Sequence, residues 1–301
     1  MITRKHLNSS EKSITIKSSS MKLRSLVAAD ETQASNLCDY ISLSFLGIGA
    51  FGEVLSTMHI PSSSRRALKI IKKTRFNFNE LKSSTVFKES IVLSKLNHHK
   101  IIRFHEMLED ENNFYIITEL CEGGSLKDRL KKSNRFTEKK TLDILKQVLE
   151  GVEYLHSQNV VHLDIKLENV LLVDISSDNI KIADFGCSRY IQPGEILKDY
   201  CGTLYYLAPD VINENYTEKA DIWSCGILAL IMLTGNYPFS GKSKDEIKEK
   251  IKTITTSQLI EKISHVSLET QNLIREILET DMNKRITAEK ARKHCCFNQI
   301  N

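Results

Sequence analysis

Asp164, Lys166 and Asn169 fall on one short stretch of chain, Val161-His162-Leu163-Asp164-Ile165-Lys166-Leu167-Glu168-Asn169-Val170-Leu171-Leu172. Asp184 follows in Ile182-Ala183-Asp184-Phe185-Gly186. This arrangement puts three polar residues on a single loop and a fourth on a following turn. Asn169 and Asp184 offer hard oxygen ligands of the kind Mg²⁺ takes, with phosphate oxygens and water completing its shell. Asp164 can accept the proton of an attacking hydroxyl, and Lys166 can neutralise charge on a phosphoryl group in transfer.

A second candidate is glycine-rich: Leu46-Gly47-Ile48-Gly49-Ala50-Phe51-Gly52-Glu53-Val54. A lone G-x-G-x-x-G is a weak signal. Its dinucleotide-binding form needs a helix after the turn and an acidic residue further on, whereas here a strand begins at Val54. The G-x-x-x-x-G-K pattern is absent. The stretch is either a plain glycine hairpin or a turn poor in side chains whose amides come close to phosphate oxygens. Lys69 lies in the apolar run Ala67-Leu68-Lys69-Ile70-Ile71. It is either a lysine with a buried stem and a wet amine, or one with a phosphate and a carboxylate partner. Glu89 is the helical carboxylate at a suitable distance along the chain. Taken singly, each of these residues reads as an ordinary surface charge.

The elements that must position these groups change character along the chain. Residues 1 to about 39 are rich in Ser, Lys and Thr without a sustained apolar period, and read as a disordered tail. From Tyr40 the apolar residues alternate, giving strands on both sides of the glycine turn and a third strand around Lys69. Residues 84–97 suit a helix, and Ile101–Met107 and Phe114–Leu120 suit strands. Beyond Gly124 the pattern is helical, with an apolar stripe from Leu142 to Leu155. With 41% hydrophobic and 27% charged residues over 301 positions, the chain can bury one large two-lobed domain or two small ones.

A net charge of only +4 argues against a dedicated nucleic-acid binder. The longest apolar helix candidate, Cys225–Leu233, falls far short of the ~20 residues a membrane span needs and reads as a core helix. No secretory signature opens the chain, and Ile2 excludes N-myristoylation. Seven scattered cysteines without a C-x-x-C pair predict reduced thiols in the cytosol or nucleus, not a disulfide framework or a zinc site.

Taken in order, these motifs resemble the eukaryotic protein kinases over residues 40–297. Gly47, Gly49, Gly52 and Val54 match the family's glycine-rich loop, and Ala67-Leu68-Lys69 its strand lysine. Glu89 matches its helix-C glutamate, His162-Leu163-Asp164 with Asn169 its catalytic loop, and Asp184-Phe185-Gly186 its DFG turn. Ala208-Pro209-Asp210 and Arg285 match its C-terminal lobe pattern. The resemblance implies an α+β, bilobal fold: a small, mostly antiparallel β N-lobe with helix C (about 40–120) and a larger, mainly helical C-lobe (about 121–297), with 298–301 as a tail. It implies ATP and Mg²⁺ as cofactors and protein Ser/Thr hydroxyls as acceptors. Asp164, Lys166 and Thr203 are then catalytic, and Asn169 and Asp184 hold the metal. Leu46 to Val54, Ala67, Lys69, Glu89, Thr118, Glu119, Cys121 and Leu171 line the nucleotide. Phe104, Leu93, Phe185 and His162 match an apolar stack that aligns the lobes. Lys166 and the stretch Tyr205 to Pro209 mark the Ser/Thr class.

Within the family the chain is most similar to calcium- and calmodulin-dependent kinases. No D-x-[DN]-x-[DN]-G loop occurs, so direct calcium sensing by this chain is not expected, and any such control would come from a separate regulatory protein. Two departures stand out. Leu163 replaces the arginine that pairs with a phosphorylated activation loop in many relatives, so the loop is of the non-RD type. Asp210 replaces the usual glutamate, implying an ion pair to Arg285 that is one methylene shorter but tolerable. These changes leave a nucleotide-binding scaffold with little catalysis as the alternative reading. A small-molecule kinase is disfavoured because Gly202–Pro209 resembles a peptide-positioning segment.

Overall fold

Six strands form the smaller of two units in the computed structural model, which describes residues 24–28, 36–48, 52–75 and 85–299. The smaller unit takes residues up to 84 together with 104–120; the larger takes 85–103 and the chain from 121 onward. The strands are β1 (Arg24–Ala28), β2 (Tyr40–Ile48), β3 (Glu53–His59), β4 (Ser64–Lys72), β5 (Phe104–Glu109) and β6 (Asn113–Glu119). They pair antiparallel in the order β1-β5-β6-β4-β3-β2. Leu68, Ile71, Met107, Leu108 and Ile117 are fully buried. A polar brace ties β2, β4 and β5. The Tyr40 hydroxyl donates to Glu106 at 2.6 Å, and Arg66 donates to the Tyr40 oxygen at 2.6 Å. Burial and the neighbouring Glu106 together push the Tyr40 hydroxyl well above its ordinary pKa.

β1 corrects the expectation of a structureless tail through residue 39. Residues 24–28 extend the sheet along β5, from Arg24 opposite Glu109 to Ala28 opposite Glu106. A 3-10 turn at Leu37–Asp39, with Leu37 buried, then leads into β2. A five-residue edge strand needs only a free row of backbone groups to pair with. It therefore carries too little alternation to be read locally.

The larger unit begins with α1 (Thr85–Ser94), the expected helix C, which groups with this unit and not with the sheet. Its other helices are α2 (Leu126–Ser133), α3 (Glu138–Ser157), α4 (Pro209–Ile212), α5 (Lys219–Thr234), α6 (Lys244–Thr253), α7 (Thr256–Glu261), α8 (Leu268–Ile277) and α9 (Ala288–Arg292). The apolar stripe of α3 is buried along Leu142, Leu145, Leu149, Val152 and Leu155, at three- and four-residue spacing. Thr137 caps its first turn by accepting from the Lys140 amide. α5 is buried on every face from Ala220 to Leu233, so it is the central helix of the unit. Among the described residues no helix is long and apolar enough to cross a membrane. Two small ladders complete the unit: β7 (Val160–Val161) with β10 (Arg189–Tyr190), and β8 (Val170–Leu172) with β9 (Ile180–Ile182). Asp164, Lys166, Asn169 and Asp184 lie on the loops between these strands.

Candidate active site

The loop from β7 to β8 is bent through a left-handed residue, Leu163, at φ 63°. For a leucine this costs on the order of 1–3 kcal/mol, so something must hold it. The buried carboxylate of Asp221, in the first turn of α5, does so. Its Oδ1 accepts the Leu163 amide at 2.7 Å, and its Oδ2 accepts the His162 amide at 2.9 Å and lies 2.9 Å from His156 Nε2. Burial alone would raise the Asp221 carboxyl. The His156 hydrogen bond and charge, with help from His162, outweigh it and hold the group below the usual carboxylate range. Sequence reasoning assigned Asp221 no role.

This bend presents Asp164 to a ring of donors. Lys166 Nζ donates to Oδ2 at 2.6 Å, and the Asn169 amide donates to the same oxygen at 3.1 Å. Thr203 donates to Oδ1 from its hydroxyl at 2.7 Å and from its backbone at 3.0 Å. Lys166 also reaches the Thr203 hydroxyl at 2.9 Å. The three residues expected to be catalytic, together with Asn169, therefore meet at one carboxylate. Thr203 arrives through a close approach of Gly202 (φ 107°). A Cβ at Gly202 would stand 2.3 Å from the Leu163 carbonyl oxygen, so only glycine admits this contact.

The same loop positions Asp184. His162 Nδ1 accepts the Asp164 amide at 3.2 Å, which leaves Nε2–H to donate to the Ala183 carbonyl at 3.2 Å. The Ala183 amide in turn donates to the Asn169 carbonyl at 2.8 Å. Asp184 itself takes a left-handed φ of 61°, and the Phe185 ring meets His162 edge-on at 4.8 Å. A hard cation fits this donor set. Asn169 spends its amide hydrogens on Asp164, at 2.9 Å to the carbonyl and 3.1 Å to Oδ2, so its Oδ1 is left as an oxygen donor. Of the remaining residues in the larger unit, Leu93 and Glu89 are buried. Cys121 precedes a segment in which Gly123 donates to Leu172 and Leu172 to Gly124, so it runs beside Leu171 on β8. Glu168 is engaged by Lys127 at 2.5 Å.

In the smaller unit the register gathers a second set. Val54 and Ile116 flank Lys69, and Thr118 lies opposite Ala67. Paired residues share a sheet face, and so do positions two apart, so Val54, Ala67, Lys69 and Thr118 lie on one face. Gly47 pairs with Val54 and extends that face. At Gly52 a Cβ would fall 1.7 Å from the Ile70 carbonyl oxygen, so this glycine is required for packing. Leu46, Ile48 and Glu53 are exposed, Glu119 is half-buried at the end of β6, and Phe104 is buried on β5. Gly49, Ala50 and Phe51 lie outside the described residues.

One expectation is overturned here. Cys187 and Cys201 are joined as a disulfide, with their Cα atoms 6.1 Å apart, where reduced thiols were expected. The Asp210–Arg285 pair, expected to tolerate the shorter side chain, is two-pronged, with Arg285 Nη2 to Oδ1 at 2.5 Å and Nη1 to Oδ2 at 3.3 Å.

With sheet, helical unit and donor ring in place, the chain belongs to the protein kinase domain family, which residues 40–297 match. It is 36% identical over 257 residues to calcium-dependent protein kinase 4 of Plasmodium berghei, covering 85% of this chain and 48% of that one. It is 36% identical over 253 residues to calcium-dependent protein kinase 5 of the same organism, covering 84% and 44%. It is 34% identical over 256 residues to the probable serine/threonine-protein kinase fhkC of Dictyostelium discoideum, covering 84% and 43%. The chain thus spans less than half the length of these relatives.

Proposed function

We propose that this chain transfers the γ-phosphoryl group of ATP to serine and threonine hydroxyls of protein substrates. The observation that carries the reading is the convergence of Lys166, Thr203 and Asn169 on Asp164. Asp164 orients the acceptor hydroxyl and takes its proton as the bond to phosphorus forms. Lys166, fixed between Asp164 and Thr203, offers its charge to the transferred group, and positioning does most of the remaining work. Mg²⁺, when bound, neutralises phosphate charge; Asn169 and Asp184 are the residues that would hold it. Within the smaller unit, Gly47, Val54, Ala67, Lys69 and Thr118 share one sheet face that would meet the nucleotide, and Glu119 stands at the end of β6. With ATP and Mg²⁺, peptides carrying serine or threonine are expected to be phosphorylated and tyrosine peptides not. Bound nucleotide with no transfer to any acceptor would turn the reading to a scaffold.

We also propose that this activity does not depend on phosphorylation of the segment between Asp184 and Asp210. Leu163 is buried and offers no cation. Of the two cations within the segment, Lys198 is exposed and Arg189 is already held by Asp199 at 2.6 Å and by the Tyr216 hydroxyl at 2.8 Å. Phosphatase treatment is therefore expected to leave the initial rate unchanged. A large drop, reversed by rephosphorylation of Ser188, Tyr190, Tyr200 or Thr203, would rule the idea out.

A further inference from the structure

The segment joining Asp184 to Thr203 is folded back on itself about Gly194, which takes φ 78°. Cross-links are nested around that turn. Gln192 and Glu195 are bonded through the Glu195 amide at 2.9 Å and the Glu195 carboxylate at 2.8 Å. Outside them Arg189 pairs with Asp199 at 2.6 Å. Outside those, Cys187 is bonded to Cys201. The non-covalent links already bring the two cysteines together, and their Cα separation of 6.1 Å lies within the ordinary span of a disulfide. Making or breaking the bond therefore needs little movement of the backbone.

Each end of this closed loop abuts a residue of the site. Cys187 comes directly after Asp184-Phe185-Gly186. Cys201 precedes Gly202 and Thr203, whose amide and hydroxyl both hold Asp164. We propose that Cys187 and Cys201 are a redox-modification site, a reversible disulfide that couples the Asp184 turn to the Thr203 contact and favours the assembled site. The covalent link does here what a phosphate–arginine pair cannot do with Leu163 in place. The effect on activity rests on the kinase reading; the thiol chemistry does not.

The reactant class is a small organic disulfide. One cysteine thiolate attacks a sulfur of that disulfide, the S–S bond breaks, and a small thiolate leaves. The second cysteine, as its thiolate, attacks the mixed disulfide and expels the other small thiolate. The protein loses two S–H bonds and gains one S–S bond, while the small disulfide is reduced to two thiols. Both cysteines are half-buried and can be reached. The competing thiols differ. Cys225 and Cys296 are buried, and burial pushes their pKa values up, that of Cys296 to about 12, so little thiolate forms there. Cys38 and Cys295 are exposed and serve as internal controls for alkylation.

The test uses the full chain treated with oxidised glutathione or with dithiothreitol, then alkylated and mapped by mass spectrometry. Cys187 and Cys201 are expected to be blocked after oxidation and alkylated after reduction. Trypsin is expected to cleave after the exposed Lys198 more slowly in the oxidised form. Phosphoryl transfer is expected to fall about fivefold or more on reduction and to recover on reoxidation. Cys187→Ser and Cys201→Ser should each sit at the reduced level and ignore the oxidant. The proposal fails if the two cysteines stay open to alkylation after oxidation. It also fails if the disulfide changes neither Lys198 cleavage nor transfer rate, or if either serine variant keeps the wild-type response. Absence of transfer in both states, with the alkylation and cleavage differences intact, counts against the kinase reading and leaves the redox site standing.

Discussion

Asp164→Asn is expected to lower phosphoryl transfer by about 10²–10⁴-fold, the range associated with loss of a positioned general base. An asparagine has the right shape and still fails, because every neighbour is a donor. Oδ1 faces the Thr203 amide and hydroxyl, and Oδ2 faces Lys166 and Asn169. Whichever way the new amide turns, its NH₂ meets N–H or O–H groups where an acceptor is needed. The variant therefore loses the proton acceptor and also loosens Lys166 and Thr203. Asp164→Ala separates these effects, since it removes the acceptor without introducing a mismatched donor, and it should fall within the same range. The fold should survive both changes, because the bend of the loop is fixed by Asp221 and not by Asp164. Initial rates at saturating ATP, read beside thermal melts, check this. A residual rate within about tenfold of wild type in both folded variants would remove Asp164 from the role of base.

The parts of this site that are legible in the sequence are those whose partners are near in the chain. Asp164, Lys166 and Asn169 share one loop, so their meeting follows from sequence proximity alone. Ala67 and Lys69 share a sheet face because a strand repeats every two residues, and alternation is visible without coordinates. What escaped is long-range. Asp221 reaches back to the amides of His162 and Leu163, and nothing within Asp221-Ile222-Trp223 signals that this carboxylate faces a strained turn. β1 escaped because an edge strand is defined by the neighbour it pairs with. The cysteines misled for a different reason: their number and scatter suggest reduced thiols, whereas their pairing depends on how the chain reverses at Gly194. In each case a tertiary contact, invisible in the local pattern, decided the outcome.

Arg285 extends the same lesson to stability. Its side chain is fully buried, with the guanidinium 5.3 Å from the Trp223 ring. Nε donates to the Glu279 carbonyl at 2.8 Å, Nη1 to the Lys219 carbonyl at 3.0 Å, and Nη1 and Nη2 each donate to Asp210. Arg285→Met keeps the bulk but leaves Asp210, 8% exposed, as an unpaired charge and strips two carbonyls of their donor. Removing one member of a buried ion pair costs about 3–5 kcal/mol, a large share of the ~5–15 kcal/mol that holds a typical domain folded. At roughly 2–4 °C per kcal/mol, the melting temperature should fall by about 6–20 °C. If the cost is the stranded charge, Arg285→Met combined with Asp210→Leu should be more stable than Arg285→Met alone, because the desolvated carboxylate is gone. If the cost lies instead in the carbonyls of Glu279 and Lys219, the double variant will be no better than the single one. An Arg285→Met melt within 2 °C of wild type, a shift of less than about 1 kcal/mol, would show that the two-pronged pair contributes little to holding α4 against the rest of the helical unit.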